Sequence, residues 1–249
     1  MSLPPEISGI ERENKHRSVI LLDVDNTLIG GFSIFSFSEF LRQKNLFHDQ
    51  SFSQMQTDLE NYTSGNITYE RFALDAVDHY SLGLQGIPEK DIFVAGENFQ
   101  NFYKTQLLPH TRELLQLMNL QGKTVAVSGA PKEAFLPMAR YLGIQETHLL
   151  EAEVTHGVYT GKTKVNMALD WEKTKVVKKL ALAGFNTSSS FAFGDSEHDI
   201  PLLSAVENPF AVSPNKALLV VAQNRNWSVV NADNIIPLVK KRLLELQTK

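Results

Sequence analysis

Asp23 and Asp25 stand two residues apart at the end of an apolar run, Val19-Ile-Leu-Leu, and Thr27 adds a small hydroxyl just beyond them. Two carboxylates held that close repel each other unless a cation or a proton relieves them. An all-oxygen site of this kind suits a hard divalent ion, so Mg²⁺ is the expected cofactor. Two further clusters end apolar runs in the same way: Ser128-Gly129, and Gly194-Asp195-Ser196-Glu197-His198-Asp199. A carboxylate nucleophile needs an electrophile that will accept it, such as a phosphoryl group. The group transferred is anionic, so positive charge and N–H donors must surround it. Mg²⁺ held by Asp23, Asp25 and Asp195 would supply the largest charge. Ser128 and the Gly129 N–H would hold phosphate oxygens, aided by the N-terminus of the helix that follows. A lysine from a neighbouring helix would balance the nucleophile, and Asp25 would protonate the leaving alcohol and then activate water.

These groups are far apart in sequence and need a scaffold that gathers them. Short apolar runs ending in polar turn residues read as buried parallel strands at residues 18–22, 124–127, 190–193 and 210–212. Helical patterns cover residues 108–120, 132–142, 171–183 and 200–205, and alternation around His156-Gly157 predicts a hairpin over residues 151–161. Residues 32–107 read as helical throughout, and residues 1–17 as a loose leader. The expected fold is α/β, a doubly wound parallel sheet with an inserted, mostly helical cap. Residues 1–31 and 108–249 would form the core and residues 32–107 the cap. All strand C-termini of a parallel sheet share one edge, which is where such folds place their ligand crevice.

The bulk numbers narrow the class. The chain has 249 residues, with Lys+Arg 24 against Asp+Glu 28 and no cysteine. Disulfides, zinc thiolates and cysteine nucleophiles are excluded. No basic block suggests a nucleic-acid surface, and no apolar run has membrane-spanning length, so neither nucleic acid nor membrane is an expected partner. A cytoplasmic location is the expectation. Gly157–Thr163 is one residue short of a phosphate-binding P-loop and follows a hairpin pattern, and Asp23–Asn26 lacks the later glycine and glutamate of a calcium loop.

Asp23-Val-Asp25-Asn-Thr27, Ser128-Gly129, a lysine and Gly194-Asp195-Ser-Glu-His-Asp199 occur in the order of the four motifs of the haloacid dehalogenase superfamily. The chain most resembles the phosphoserine-phosphatase-like branch, whose helical cap lies between the first two motifs. The resemblance implies a phosphomonoester hydrolase in which Asp23 becomes an aspartyl-phosphate. It implies that Asp25 is the general acid and base and binds Mg²⁺ through its backbone carbonyl. Asp195 is implied as a metal ligand, and Asp199 as support for the metal's waters. Lys173 and Lys175 both lie near the place of the motif lysine. Lys173 has apolar Val177 and Leu180 four and seven positions on, as the family pattern does, and is chosen.

One departure bears on the substrate. Where phosphoserine phosphatases carry an acidic residue after the first motif, this chain has Phe32, and Leu74 falls at the place of their cap arginine, with Arg71 nearby. Phosphoserine is therefore not expected. A small phosphorylated metabolite with an apolar or larger body fits Phe32, Phe35 and Phe37 better, although cap packing accounts for at least two of the three. Phe32 and His198 join Ser128 and Gly129 as candidate substrate-facing residues. A phosphotransferase or mutase with the same intermediate, or a receiver-like phospho-signalling module, remains as an alternative. Monomer and homodimer are equally open.

Overall fold

The computed structural model describes residues 18–248; the leader expected over residues 1–17 lies outside them. A seven-stranded sheet carries the molecule, in the order β4-β3-β2-β1-β5-β6-β7. The strands are β1 (Val19–Leu22), β2 (Lys123–Pro131), β3 (Glu146–Thr155), β4 (Val158–Val165), β5 (Phe191–Gly194), β6 (Asn208–Val212) and β7 (Ser228–Val230). All neighbours pair parallel except β3 and β4, which are antiparallel.

The run Val19-Ile-Leu-Leu shows why β1 sits at the centre. Its side chains point alternately to the two sheet faces, and both faces are covered. Ile20 and Leu22 belong to one apolar cluster, with Leu114, Phe135 and Val239. Val19 and Leu21 belong to the other, with Val176, Leu203 and Leu218. The first face is closed by α5 (Thr111–Gln121), α6 (Lys132–Leu142) and α10 (Ile235–Gln247), the second by α7 (Asp170–Leu182), α8 (Ile200–Leu203) and α9 (Lys216–Asn224). The doubly wound α/β fold expected from the sequence is present. Strand β7, helices α9 and α10, and the parallel stretch of β3 beside β2 extend it beyond the elements expected.

Between β1 and β2 lie four helices, α1 (Ser33–Arg42), α2 (Asp49–Thr63), α3 (Tyr69–Gly83) and α4 (Glu89–Thr105). Their apolar residues Phe37, Tyr80 and Phe99 are continuous with the sheet's first cluster. The stretch after α3 also meets the β3–β4 hairpin through its backbone: Gly86 N–H donates to Tyr159 O at 2.9 Å, Tyr159 N–H to Ile87 O at 3.0 Å, and Glu89 N–H to Gly157 O at 2.9 Å. The hairpin expected around His156-Gly157 is thus longer than its turn signal suggested, and it props one side of the helical insert.

Candidate active site

β1 runs into the crevice with β2 on one side and β5 on the other, the point where strand order reverses. Asp23 follows β1 directly and is fixed by its own backbone, whose N–H donates to Phe193 O at 3.0 Å. The chain then turns back on itself. Asn26 adopts a left-handed φ of 57°, Leu28 N–H donates to Val24 O at 2.9 Å, and Leu108 N–H ties the turn down at Leu28 O, 3.0 Å away. The turn brings the start of α1 over Asp25. Ser33 donates to Asp25 Oδ2 twice, from its backbone N–H at 3.0 Å and from its hydroxyl at 2.9 Å. Asp25 Oδ1 is buried and has no hydrogen-bond partner among the described residues. Burial raises the Asp25 carboxyl to about 6, and the Ser33 bonds pull the other way.

Lys173 comes from the first turn of α7 and is buried, with its ammonium 2.9 Å from Asp23 Oδ1 and 2.6 Å from Asp199 Oδ1. Burial alone would lower its pKa, but Asp199 and Asp23 more than reverse this and hold it above the ordinary lysine range. Lys175 lies on the exposed side of the same helix and pairs with Glu172 at 2.5 Å.

Asp199 is buried, and both of its oxygens are engaged. Oδ1 takes Lys173, while Oδ2 accepts the N–H groups of Asp195 and Ser196 at 3.0 and 3.1 Å. Gly194 makes this possible, since a Cβ there would lie 2.4 Å from the Asp199 Cβ. Asp199 therefore braces the loop that carries Asp195. Carboxylate oxygens of Asp23, Asp195 and Asp199 lie within 4.8 Å of one another. Burial first, then Asp199 and Asp23, push the Asp195 carboxyl up to about 9. Burial and Asp199 raise Asp23 to about 7 against the pull of Lys173. Three acids sharing one lysine leave negative charge uncompensated, and their hard oxygen donors suit a divalent cation such as Mg²⁺.

Ser128, Gly129 and His198 line the same cavity of about 250 Å³ as Asp23, Asp25 and Asp195. Ser128 Oγ accepts only a long bond from Ala130 N–H, 3.4 Å, and its hydroxyl proton remains available. Helix α6 starts at Lys132, so the helix N-terminus expected to follow Gly129 comes three residues later. Gly129 is needed for closeness: a Cβ would lie 2.8 Å from that of Ala168. His198 is turned by Asp170, whose Oδ1 lies 2.6 Å from Nδ1, and its ring stacks on Tyr69 of α3 at 3.8 Å. Phe32 lines the cavity, whereas Phe37 is fully buried in the core and Phe35 packs behind Phe72. Tyr62, Tyr69, Phe72 and Asn215 also line it, and sequence reasoning did not single them out. The insert has no motif, so its only signal was aromatic content.

Comparison with known proteins agrees with this geometry. Residues 20–204 match the model of the haloacid dehalogenase-like hydrolases, and the chain belongs to that family. Phosphoserine phosphatase SerB1 of Mycobacterium tuberculosis strain H37Rv is 25% identical over 241 residues, 92% of this chain and 76% of that protein. The histidinol-phosphatase of Neisseria meningitidis serogroup C is 26% identical over 230 residues, covering 86% of this chain and 99% of the relative. A substrate-bound phosphoserine phosphatase structure shares the fold, with a TM-score of 0.63 at 17% identity over 91% of this chain and 98% of that one. The protein is a hydrolase of the phosphatase kind. Among the described residues, no helix is long and apolar enough to cross a membrane.

Proposed function

We propose that the protein hydrolyses small phosphomonoesters with Mg²⁺, through a phosphoryl group carried on Asp23. The observation that carries this reading is the lysine-bridged acid cluster: Lys173 binds Asp23 and Asp199 within 2.9 Å, and an Asp195 oxygen lies within 4.8 Å of theirs. Asp23, Asp195 and the backbone carbonyl of Asp25 would hold the ion, and Asp199 would fix their loop. When bound, Mg²⁺ neutralises charge on the phosphate oxygens and keeps the acids ionised.

Asp23 attacks phosphorus through a carboxylate oxygen, and the bond from phosphorus to the leaving oxygen breaks. Lys173 offsets the charge on Asp23 and aims it, while Ser128 and the Gly129 N–H hold equatorial phosphate oxygens. Asp25 gives its proton to the departing alkoxide, which leaves as an alcohol. Asp25, now ionised, takes a proton from water as that water attacks phosphorus, and the bond from phosphorus to Asp23 breaks to release phosphate. A pKa near 6 suits a group that must both give and take a proton close to neutral pH. Helices α1 to α4 act as a cap that excludes bulk water during both steps. The relatives named above carry different substrate names at nearly equal identity, so resemblance leaves the substrate open.

The test is phosphate release from a phosphomonoester panel, with Mg²⁺ and with EDTA. Hydrolysis that EDTA abolishes and Mg²⁺ restores is expected. A labelled enzyme that keeps its phosphoryl group until an added alcohol takes it up as a new ester would favour phosphoryl transfer instead.

A further inference from the structure

We propose that the cavity selects a phosphomonoester whose leaving group is an apolar body about the size of an aromatic ring and carries no carboxylate. This deepens the phosphomonoesterase reading and rests on it.

The cavity is lined by two unlike sets of residues. Asp23, Asp25 and Asp195 supply its charge, and Phe32, Tyr62, Tyr69 and Phe72, with Ile34 and Val77, supply most of its apolar lining. Tyr62 stacks on Phe72 with centroids 4.9 Å apart and planes 10° from parallel. Phe32 and Tyr69 both meet Phe72 edge-on, at 6.3 and 6.0 Å. Phe35 lies behind, stacked on Phe72 at 6.2 Å. Phe72 is 5% exposed, held between Tyr62 and Phe35, so it fixes the rings around it and leaves Phe32 and Tyr62 as the ones a ligand can meet. Phe32 keeps 37% of its surface exposed. A ring laid against these two would remove apolar surface from water and gain edge-to-face contacts. At about 250 Å³ the cavity has room for a phosphate and one body of about that size.

Charge excludes the alternative. Among the described residues lining the cavity, Lys173 is the only lysine or arginine, and its ammonium is already committed to Asp23 and Asp199. Arg71 is not in the lining; it lies exposed and pairs with Asp75 at 2.5 Å. A substrate carboxylate would face three acids with no lysine or arginine of the lining free to pair with it, which is costly by desolvation and by repulsion together.

Three alkyl phosphates with similar intrinsic reactivity test this: 2-phenylethyl phosphate, ethyl phosphate and O-phosphoserine, each with Mg²⁺. For the wild type, kcat/KM for the phenylethyl ester should exceed that for ethyl phosphate by about 10- to 100-fold, with phosphoserine below both. Phe32→Ala and Tyr62→Ala should each shrink the phenylethyl-to-ethyl ratio by about threefold or more, a readout in which partial misfolding cancels. Phosphoserine turned over as well as the phenylethyl ester, or a ratio unmoved in both variants, would overturn the inference while leaving the hydrolase reading intact. Phosphate release from none of the three would instead bring down the hydrolase reading.

Discussion

Asp25 owes its orientation to a residue that the motifs do not contain. Ser33 fills one Asp25 oxygen with two hydrogen bonds and leaves the other for the proton exchange proposed above. Ser33→Ala should lower kcat by about tenfold with KM little changed. The loss should be larger for alkyl phosphates than for aryl phosphates, whose leaving groups need little protonation, and Ser33→Thr should recover most of it. Equal losses on both classes would mean that Ser33 does not act through Asp25. The lysines give a second contrast. Lys173→Ala strands buried Asp23 and Asp199 and should cost about 3 kcal/mol of stability as well as activity. Lys175→Ala removes an exposed pair and should change both little. Urea titration with matched phosphatase assays reads both effects, and the reverse order would contradict the site. Lys173 could be singled out in the sequence because apolar residues follow it at helical spacing. Ser33, Tyr62 and Phe72 could not, because what brings them to the site is how the insert folds back over Asp25.

The strands and helices divide along the same line. Strand β1 and the strands beside it were readable because burial on both faces leaves near-continuous apolar runs. Strand β7 is three residues long with two of them exposed, and α10 presents a mixed face, so neither stood out in the pattern. The β3–β4 hairpin was readable from His156-Gly157, but its contact with the insert depends on backbone pairing that no side-chain pattern encodes. Under that hairpin, Tyr159 donates to Glu133 Oε1 at 2.9 Å, while Glu133 Oε2 is buried with no hydrogen-bond partner among the described residues. Burial holds the Glu133 carboxyl above its ordinary value. A carboxyl raised on folding stabilises the folded state fully below its unfolded pKa and loses that contribution as pH rises through the raised value. Glu133→Gln stays neutral and can still accept from Tyr159. Its stability to urea should fall less steeply than the wild type's from about pH 4 toward neutrality. Parallel pH profiles would show that Glu133 is not the titrating group.

For the molecule as a whole, the sheet edge and the insert form one enclosure, and the enclosure carries excess negative charge. Asp23 is raised to about 7 and Asp195 to about 9, so the metal-free protein loses their contribution as pH rises from the ordinary carboxyl value near 4 up through those values. A divalent ion competes with those protons and binds more tightly as they leave. Mg²⁺ should therefore raise the melting temperature by about 5–10 °C near saturation, more at pH 8 than at pH 6. Asp195→Asn should lose most of that shift. A shift independent of pH, or unchanged in Asp195→Asn, would place the ion elsewhere. The role proposed for Asp23 has a direct readout. In a single turnover with Mg²⁺ and a phosphorus-labelled ester, quenched in acid before completion, label should be found on the peptide that carries Asp23 and be absent from Asp23→Asn. Free phosphate formed at full rate with no labelled protein at any time, or label on another residue, would contradict the mechanism.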